Sequence, residues 1–236
     1  MKSIFHPAAD RGHNVFSWLD SYHSFSFGQF YDENKIHFGA LRVLNDDTVA
    51  AGMGFGAHPH DNMEIVSIPL SGALEHRDSM GNDGVIYAND VQIMSAGTGI
   101  QHSEFNHSKT EEVKFLQIWV FPRERQIEPR YDQKTFDPET YKNQWQILVD
   151  PQGVVGVRIA QEAWFSVANI DAGTALSYDV KRQGNGTYFF VLDGKVSIEE
   201  KELANRDALG IWEVGSVAVS ALESARVLAI EVPMAL

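Results

Sequence analysis

The chain has 236 residues, 44% of them hydrophobic and 22% charged, with no cysteine; this is the composition of a folded globular protein, and it excludes disulfides, thiolate metal ligands and a cysteine nucleophile. Nineteen Lys and Arg stand against 32 Asp and Glu, a formal net charge of −13, and the basic residues cluster only at Arg123-Glu124-Arg125, so direct binding to nucleic acid or to an anionic membrane surface is not expected. No apolar run approaches the roughly 18 residues needed to cross a bilayer, and Met1-Lys2-Ser3-Ile4-Phe5-His6-Pro7 lacks the apolar stretch of a signal peptide, so the expected location is cytoplasmic.

In chain order the strand signal is strong and the helix signal weak. A β-rich run at residues 36–44 leads into Asn45-Asp46-Asp47, expected as a turn, and residues 64–70 end at Ser71-Gly72. Runs at 73–77, 85–87, 91–94 and 114–121 follow, separated by Gly/Asn/Asp clusters such as Asp78-Ser79-Met80-Gly81-Asn82-Asp83-Gly84 and Ala96-Gly97-Thr98-Gly99. Many short strands with such turns predict a β-sandwich or jelly-roll barrel. Residues 122–143 are rich in charge and proline without an apolar period, and read as a crossing segment with at most one short helix. The strand rhythm resumes from residue 144 to the end. Leu70-Ser71-Gly72-Ala73-Leu74-Glu75 and Leu192-Asp193-Gly194-Lys195-Val196-Ser197 both read as strand, tight turn, strand, so a duplicated all-β unit is expected, two jelly-roll β-barrels in tandem. The divisions are 1–125 with a metal site, 126–143 as the crossing segment, and 144–236 without metal ligands.

The chemistry is concentrated in the first half. All nine histidines lie at or before His107, and two triplets stand out, His58-Pro59-His60 and His102-Ser103-Glu104. Strand side chains alternate faces, so His58 and His60 project together, as do His102 and Glu104. Two strands that each offer two ligands to one interior can converge on one ion. Imidazole and carboxylate without thiolate suit Fe, Mn, Co, Ni, Cu or catalytic Zn, and four protein ligands leave an octahedral ion two open positions. Gly52, Gly54 and Gly56 lead into His58, and Gly97 and Gly99 into His102. Met53, Phe55, Met63, Met94, Phe105 and Phe115 are candidates for an apolar pocket, which would suit an aromatic ligand. Glu64, by strand parity, also aims inward and is expected to orient an imidazole N–H rather than to bind metal. His23, His37, His76 and His107 read as hydrogen-bonded structural histidines.

These residues resemble a known family. Gly52-x5-His58-x-His60-x3-Glu64 followed by Gly72 is similar to the first cupin motif, with one extra residue before the last glycine, and Gly99-x2-His102-x3-Asn106 is similar to the end of the second, with Gly97 where a proline is usual. The longer stretches Ser24-Phe25-Ser26-Phe27-Gly28, Leu41-Arg42-Val43-Leu44-Asn45-Asp46-Asp47, His58-Pro59-His60-Asp61-Asn62-Met63-Glu64-Ile65-Val66, Gly72 to Gly81 and Gln92 to Glu104 resemble the pirin family in its bacterial form. The resemblance is dense over the first half, whereas the second half shares length and strand rhythm.

It implies a bicupin whose N-terminal site holds one divalent ion, usually iron, through His58, His60, His102 and Glu104, the set that strand parity selects. It also implies quercetin 2,3-dioxygenase activity, and the expectation drawn from it is cleavage of a flavonol such as quercetin with O₂ and release of carbon monoxide, with Glu104 expected as both ligand and catalytic proton acceptor. The alternative is a non-enzymatic iron and redox sensor acting through protein–protein contact, since oxidation of Fe²⁺ to Fe³⁺ raises the local charge by one and can reshape a nearby surface.

Overall fold

A computed structural model describes residues 1–235. Among the described residues the helical elements are two short 3-10 turns, Ala8–Asp10 and Pro138–Tyr141, and everything else regular is strand. No helix among the described residues is long and apolar enough to cross a membrane.

The strands form four sheets. A seven-stranded sheet runs in the order Arg130–Thr135, Asp90–Ser95, Glu64–Ser71, Val113–Val120, Leu41–Val49, Leu19–His23, Gly12–Val15. It is faced by a four-stranded sheet of Gly54–His60, Ile100–Asn106, Ala73–Asp78 and Asp83–Tyr87. The second half repeats this. Lys2–His6, Ala208–Trp212, Asn185–Asp193, Ala225–Pro233, Trp164–Ile170, Gln146–Asp150 and Val157–Arg158 make the large sheet, with Ala175–Asp179, Ser216–Ala221, Val196–Ile198 and Lys201–Leu203 as the small one. The all-β, two-fold jelly-roll architecture is as expected, but the units are open: large and small sheets share no strand, so neither pair closes into a barrel.

Burial explains the layering. Ile100–Asn106 alternates, with Ile100, His102, Glu104 and Asn106 buried and Gln101 and Phe105 exposed, as a strand with one solvated face should. Glu64–Ser71 and Asn185–Asp193 are buried on both faces for most of their length. The reason is that the two large sheets pack back to back: Leu44, Val66, Leu116 and Ile118 share one core with Phe165, Tyr188, Leu228 and Ile230. Each small sheet lies on the outside of this double layer.

Four local expectations need correction. Asn45, Asp46 and Asp47 are not a turn but lie inside Leu41–Val49, paired with residues of both neighbouring strands. Their side chains have partners that make a strand affordable, with Ser21 Oγ bonded to Asp47 and Arg11 Nη1 3.2 Å from Asp46 Oδ2. Within the crossing segment, Arg130–Thr135 is a strand of the first large sheet, with Gln133 opposite Gln92. Lys2–His6 does not join the residues that follow it; it pairs with Ala208–Trp212 at the edge of the second large sheet. Glu64 is described with the site below.

The suggested internal repeat is structural. Gly72 and Gly194 both turn a long strand of a large sheet into a strand of the facing small sheet, with φ of 75° and 78°. Only glycine adopts that conformation freely, and at Gly194 a Cβ would stand 2.1 Å from the Ser224 carbonyl oxygen.

Candidate metal centre

Gly54–His60 pairs with Ile100–Asn106 so that His58 lies opposite His102 and His60 opposite Ile100. The pairing shifts register between His102 and Glu104, a bulge of the kind that re-aims side chains. The three imidazoles converge: ring centroids are 4.4 Å apart for His58 and His102, 4.8 Å for His58 and His60, and 4.9 Å for His60 and His102. One ring nitrogen from each falls within 4.8 Å of the others.

Local bonds prepare these rings to act as donors. His58 Nδ1 lies 2.8 Å from the Gly56 carbonyl oxygen. A carbonyl only accepts, so Nδ1 carries the proton and the Nε2 lone pair is free. Burial, followed by the neighbouring imidazoles His102 and His58, pushes the His60 pKa down to about 4. Burial, then His58 and His76, pushes that of His102 down to about 3. Both are therefore neutral near pH 7, with lone pairs available. His102 is 2% exposed, and neither of its ring nitrogens has a hydrogen-bond partner. Buried polar atoms are rarely left so. Lone pairs from neutral imidazoles that meet no donor are what a divalent cation requires, and the residues fit such an ion.

Glu104 sits deeper, 2% exposed. Its Oε1 accepts from Ser67 Oγ at 3.1 Å and its Oε2 from Gln117 Nε2 at 2.7 Å. It approaches His102 closely, but its closest set is with His76 and His102 rather than with His58 and His60. The structure thus gathers His58, His60 and His102 tightly, with Glu104 beside His102 on the inner side.

Glu64 does not orient an imidazole. It is fully buried, and its Oε2 accepts from Ser95 Oγ at 2.8 Å and from the Ala160 backbone N–H at 2.9 Å, tying the two halves together. Parity counted from His58 fails because the chain turns between the strands, with Asn62 at φ 46°. His23, His37 and His107 do make the local bonds expected of structural histidines, to Ser21, Gly39 and Glu75.

Beside the cluster opens a depression of about 790 Å³, lined by Pro59, His60, Met63, Ile100, Gln101 and Trp119 among others. Trp119 meets His60 edge to face, with centroids 4.9 Å apart. Of the six expected pocket residues, Met63 lines this depression. Met94 and Phe115 are core, Phe55 packs against the cluster that contains Phe115, edge to face with Trp18, and Met53 and Phe105 are exposed on other surfaces. Trp119, Ser67 and Gln117 escaped the sequence reading because nothing local marks them; the register of the large sheet brings them to the site. A cavity of about 480 Å³ elsewhere, between residues 123–130 and 151–162, contains no histidine, and Arg123 there pairs with Glu162 at 2.8 Å.

The same fold, with similar sequences, occurs in known proteins. The pirin family model matches residues 5–120, and a quercetinase C-terminal cupin domain model matches residues 148–232. The chain is 40% identical over 229 residues to quercetin 2,3-dioxygenase of Escherichia coli K12, covering 96% of each. It superposes on the crystal structure of the bacterial pirin YhhW from Escherichia coli in complex with nickel(II) with a TM-score of 0.93 at 36% identity, covering 98% of this chain and 99% of that one. A quercetin 2,3-dioxygenase structure from Acinetobacter baumannii shares the fold, with a TM-score of 0.79 at 21% identity over 99% of this chain and 86% of the other. Full-length similarity, both domain matches and the paired open sandwiches agree: this chain belongs to the pirin family.

Proposed function

We propose that the protein is a metal-dependent dioxygenase that cleaves a flavonol such as quercetin with O₂ and releases carbon monoxide, with His58, His60, His102 and Glu104 as ligands of an iron(II) ion. The observation that carries this reading is the convergence of three neutral imidazoles beside an open, partly apolar depression. The names of the full-length relatives supply the substrate class. A divalent cation held by these residues would supply Lewis acidity that favours the ionised form of the flavonol hydroxyl.

The chain's own groups do the rest. Glu104, held by Ser67 and Gln117, is the base that accepts the hydroxyl proton, work that typically contributes about 10²–10⁴-fold. Trp119, Met63 and Ile100 offer apolar surface to a planar aromatic substrate, while His60 faces the same depression. With a net charge of −13 the protein repels an anionic flavonolate, so the substrate enters neutral and ionises at the site.

The test is turnover of quercetin by iron-loaded protein in oxygenated buffer. Loss of flavonol absorbance with matching carbon monoxide release is expected; an unchanged spectrum and no carbon monoxide, with iron demonstrably bound, would sink the proposal.

A further inference from the structure

The face that carries the two triplets carries a third pair at the same spacing. His76 and Asp78 lie on Ala73–Asp78, the strand beside Ile100–Asn106, with His76 opposite Glu104 and Asp78 opposite His102. Both side chains are completely enclosed. The His76 ring lies 5.3 Å from that of His102, centroid to centroid. One of its nitrogens falls within 4.8 Å of both a His102 nitrogen and a Glu104 oxygen. His76 therefore stands against the candidate metal centre, although its sequence context suggests an ordinary structural histidine.

Asp78 decides which nitrogen of His76 carries the proton. Its two carboxylate oxygens accept from the Asn82 side chain, the Asn82 backbone and the Met80 N–H. The donors lie at 2.8 Å (Asn82 Nδ2), 3.0 Å (Asn82 N) and 2.9 Å (Met80 N). An ionised carboxylate only accepts. His76 Nε2, 3.3 Å from Asp78 Oδ2, is therefore the protonated nitrogen. Nδ1 keeps its lone pair, and it is buried without a partner. His102 presents the complementary need. If one of its nitrogens binds an ion, the other bears a proton and requires an acceptor. Both His102 nitrogens are buried and make no hydrogen bond, and the unpartnered Nδ1 of His76 belongs to the neighbouring ring.

We propose that His76 is a positioning residue of the metal centre: the two rings do not hydrogen-bond as they stand, and when one His102 nitrogen holds an ion His76 Nδ1 closes on the N–H of the other, so that Asp78, His76 and His102 form a hydrogen-bonded chain ending at the ion. The proposal rests on the metal reading of the previous section. Through this chain the Asp78 carboxylate fixes the His102 tautomer and ring orientation and makes the ligating nitrogen a stronger donor. A role in packing alone, against the Tyr131 ring 4.9 Å away, would depend on the shape of residue 76 rather than on its acceptor.

Cobalt(II) titration of the metal-free full-length chain separates these roles, read by affinity and by the visible bands of the bound ion. Wild type is compared with His76→Gln, whose carbonyl oxygen can accept from His102, and His76→Leu, which cannot. His76→Phe replaces the latter if it does not melt cooperatively. The expected result is a 10–100-fold loss of affinity and shifted bands for Leu or Phe, with Gln close to wild type in both. Equal affinity and identical bands in all variants would overturn the proposal, as would equal losses in Gln and Leu. A wild-type chain that binds no cobalt would instead overturn the metal reading itself.

Discussion

In the second sandwich a single cluster of 16 buried apolar residues, from Ala168 to Ala229, fills the space between the sheets. In the first, the corresponding space holds two small clusters of five and four residues. A polar row lies between them across the large sheet: Gln133, Gln92, Ser67, Gln117, Asn45 and His23 stand opposite one another, strand by strand. Several of these atoms are buried without partners, including both amide atoms of Gln92, Asn45 Oδ1 and His23 Nδ1. Unpaired buried polar groups cost stability. One copy of the architecture is thus packed for cohesion and the other gives up apolar packing to a buried polar row. The core shared between the large sheets lets the first lean on the second.

The sharpest way to break this comparison is His102→Ala. If the first sandwich is the metal-binding copy, nickel titration should show a loss exceeding the roughly 10–100-fold typical of outer-shell partners. Nickel in 100-fold excess over Kd should stabilise the wild type by about 2.7 kcal/mol and leave the variant unmoved. Residual tight binding would place a site elsewhere. Phe189→Ala tests the other side, since Phe189 is fully buried in the apolar cluster of the second sandwich. It should cost about 3–5 kcal/mol in urea unfolding without changing nickel affinity of the folded protein. Gln92→Leu exchanges an unpaired buried amide for an apolar group of similar size. It should raise stability of the metal-free protein by about 1–2 kcal/mol, and a loss would show that the amide is solvated or bonded in solution.

The smallest effect concerns pH. Burial, opposed by the Ser21 hydrogen bond and reinforced by Asp46 and Glu104, pushes Asp47 up to about 7, against about 3.9 in an unfolded chain. A group raised in the folded state contributes stability below its unfolded value and loses it as pH climbs through the folded one. Stability should therefore fall between about pH 4 and pH 7 on account of Asp47. His60 and His102 act in the opposite sense: their lowered values favour the folded state above about pH 6.5, and that contribution is lost as pH falls toward 4 and 3. Melting of Asp47→Asn and wild type across this range isolates the first term, with the gap between them widening in favour of the variant as pH rises. A parallel pair of curves would contradict it.

What could be read from the sequence was what is local. The alternation in Ile100–Asn106 exposed the His102 and Glu104 face, and the glycine turns at 72 and 194 revealed the repeated unit. Features that depend on distant partners could not be read. Arg130–Thr135 has six half-exposed or exposed residues and no apolar alternation, so only its pairing with Asp90–Ser95 makes it a strand. Asn45 to Asp47 look like a turn until Ser21 and Arg11 are brought beside them. His76 and Asp78 shared the spacing of the two triplets, and that signal was available. What separated them from the site in sequence was the strand order, which places residues 73–78 next to residues 100–106.

The pairing of Lys2–His6 with Ala208–Trp212 has a consequence for biosynthesis. The early strand leaves the ribosome roughly 200 residues ahead of its partner, an interval on the order of 10–40 s at ordinary translation speeds. During that wait its hydrogen-bonding edge and the Phe5 side chain have nowhere native to dock. The edge is sealed only when residues 208–212 arrive, so termination before that point leaves the early strand unpaired.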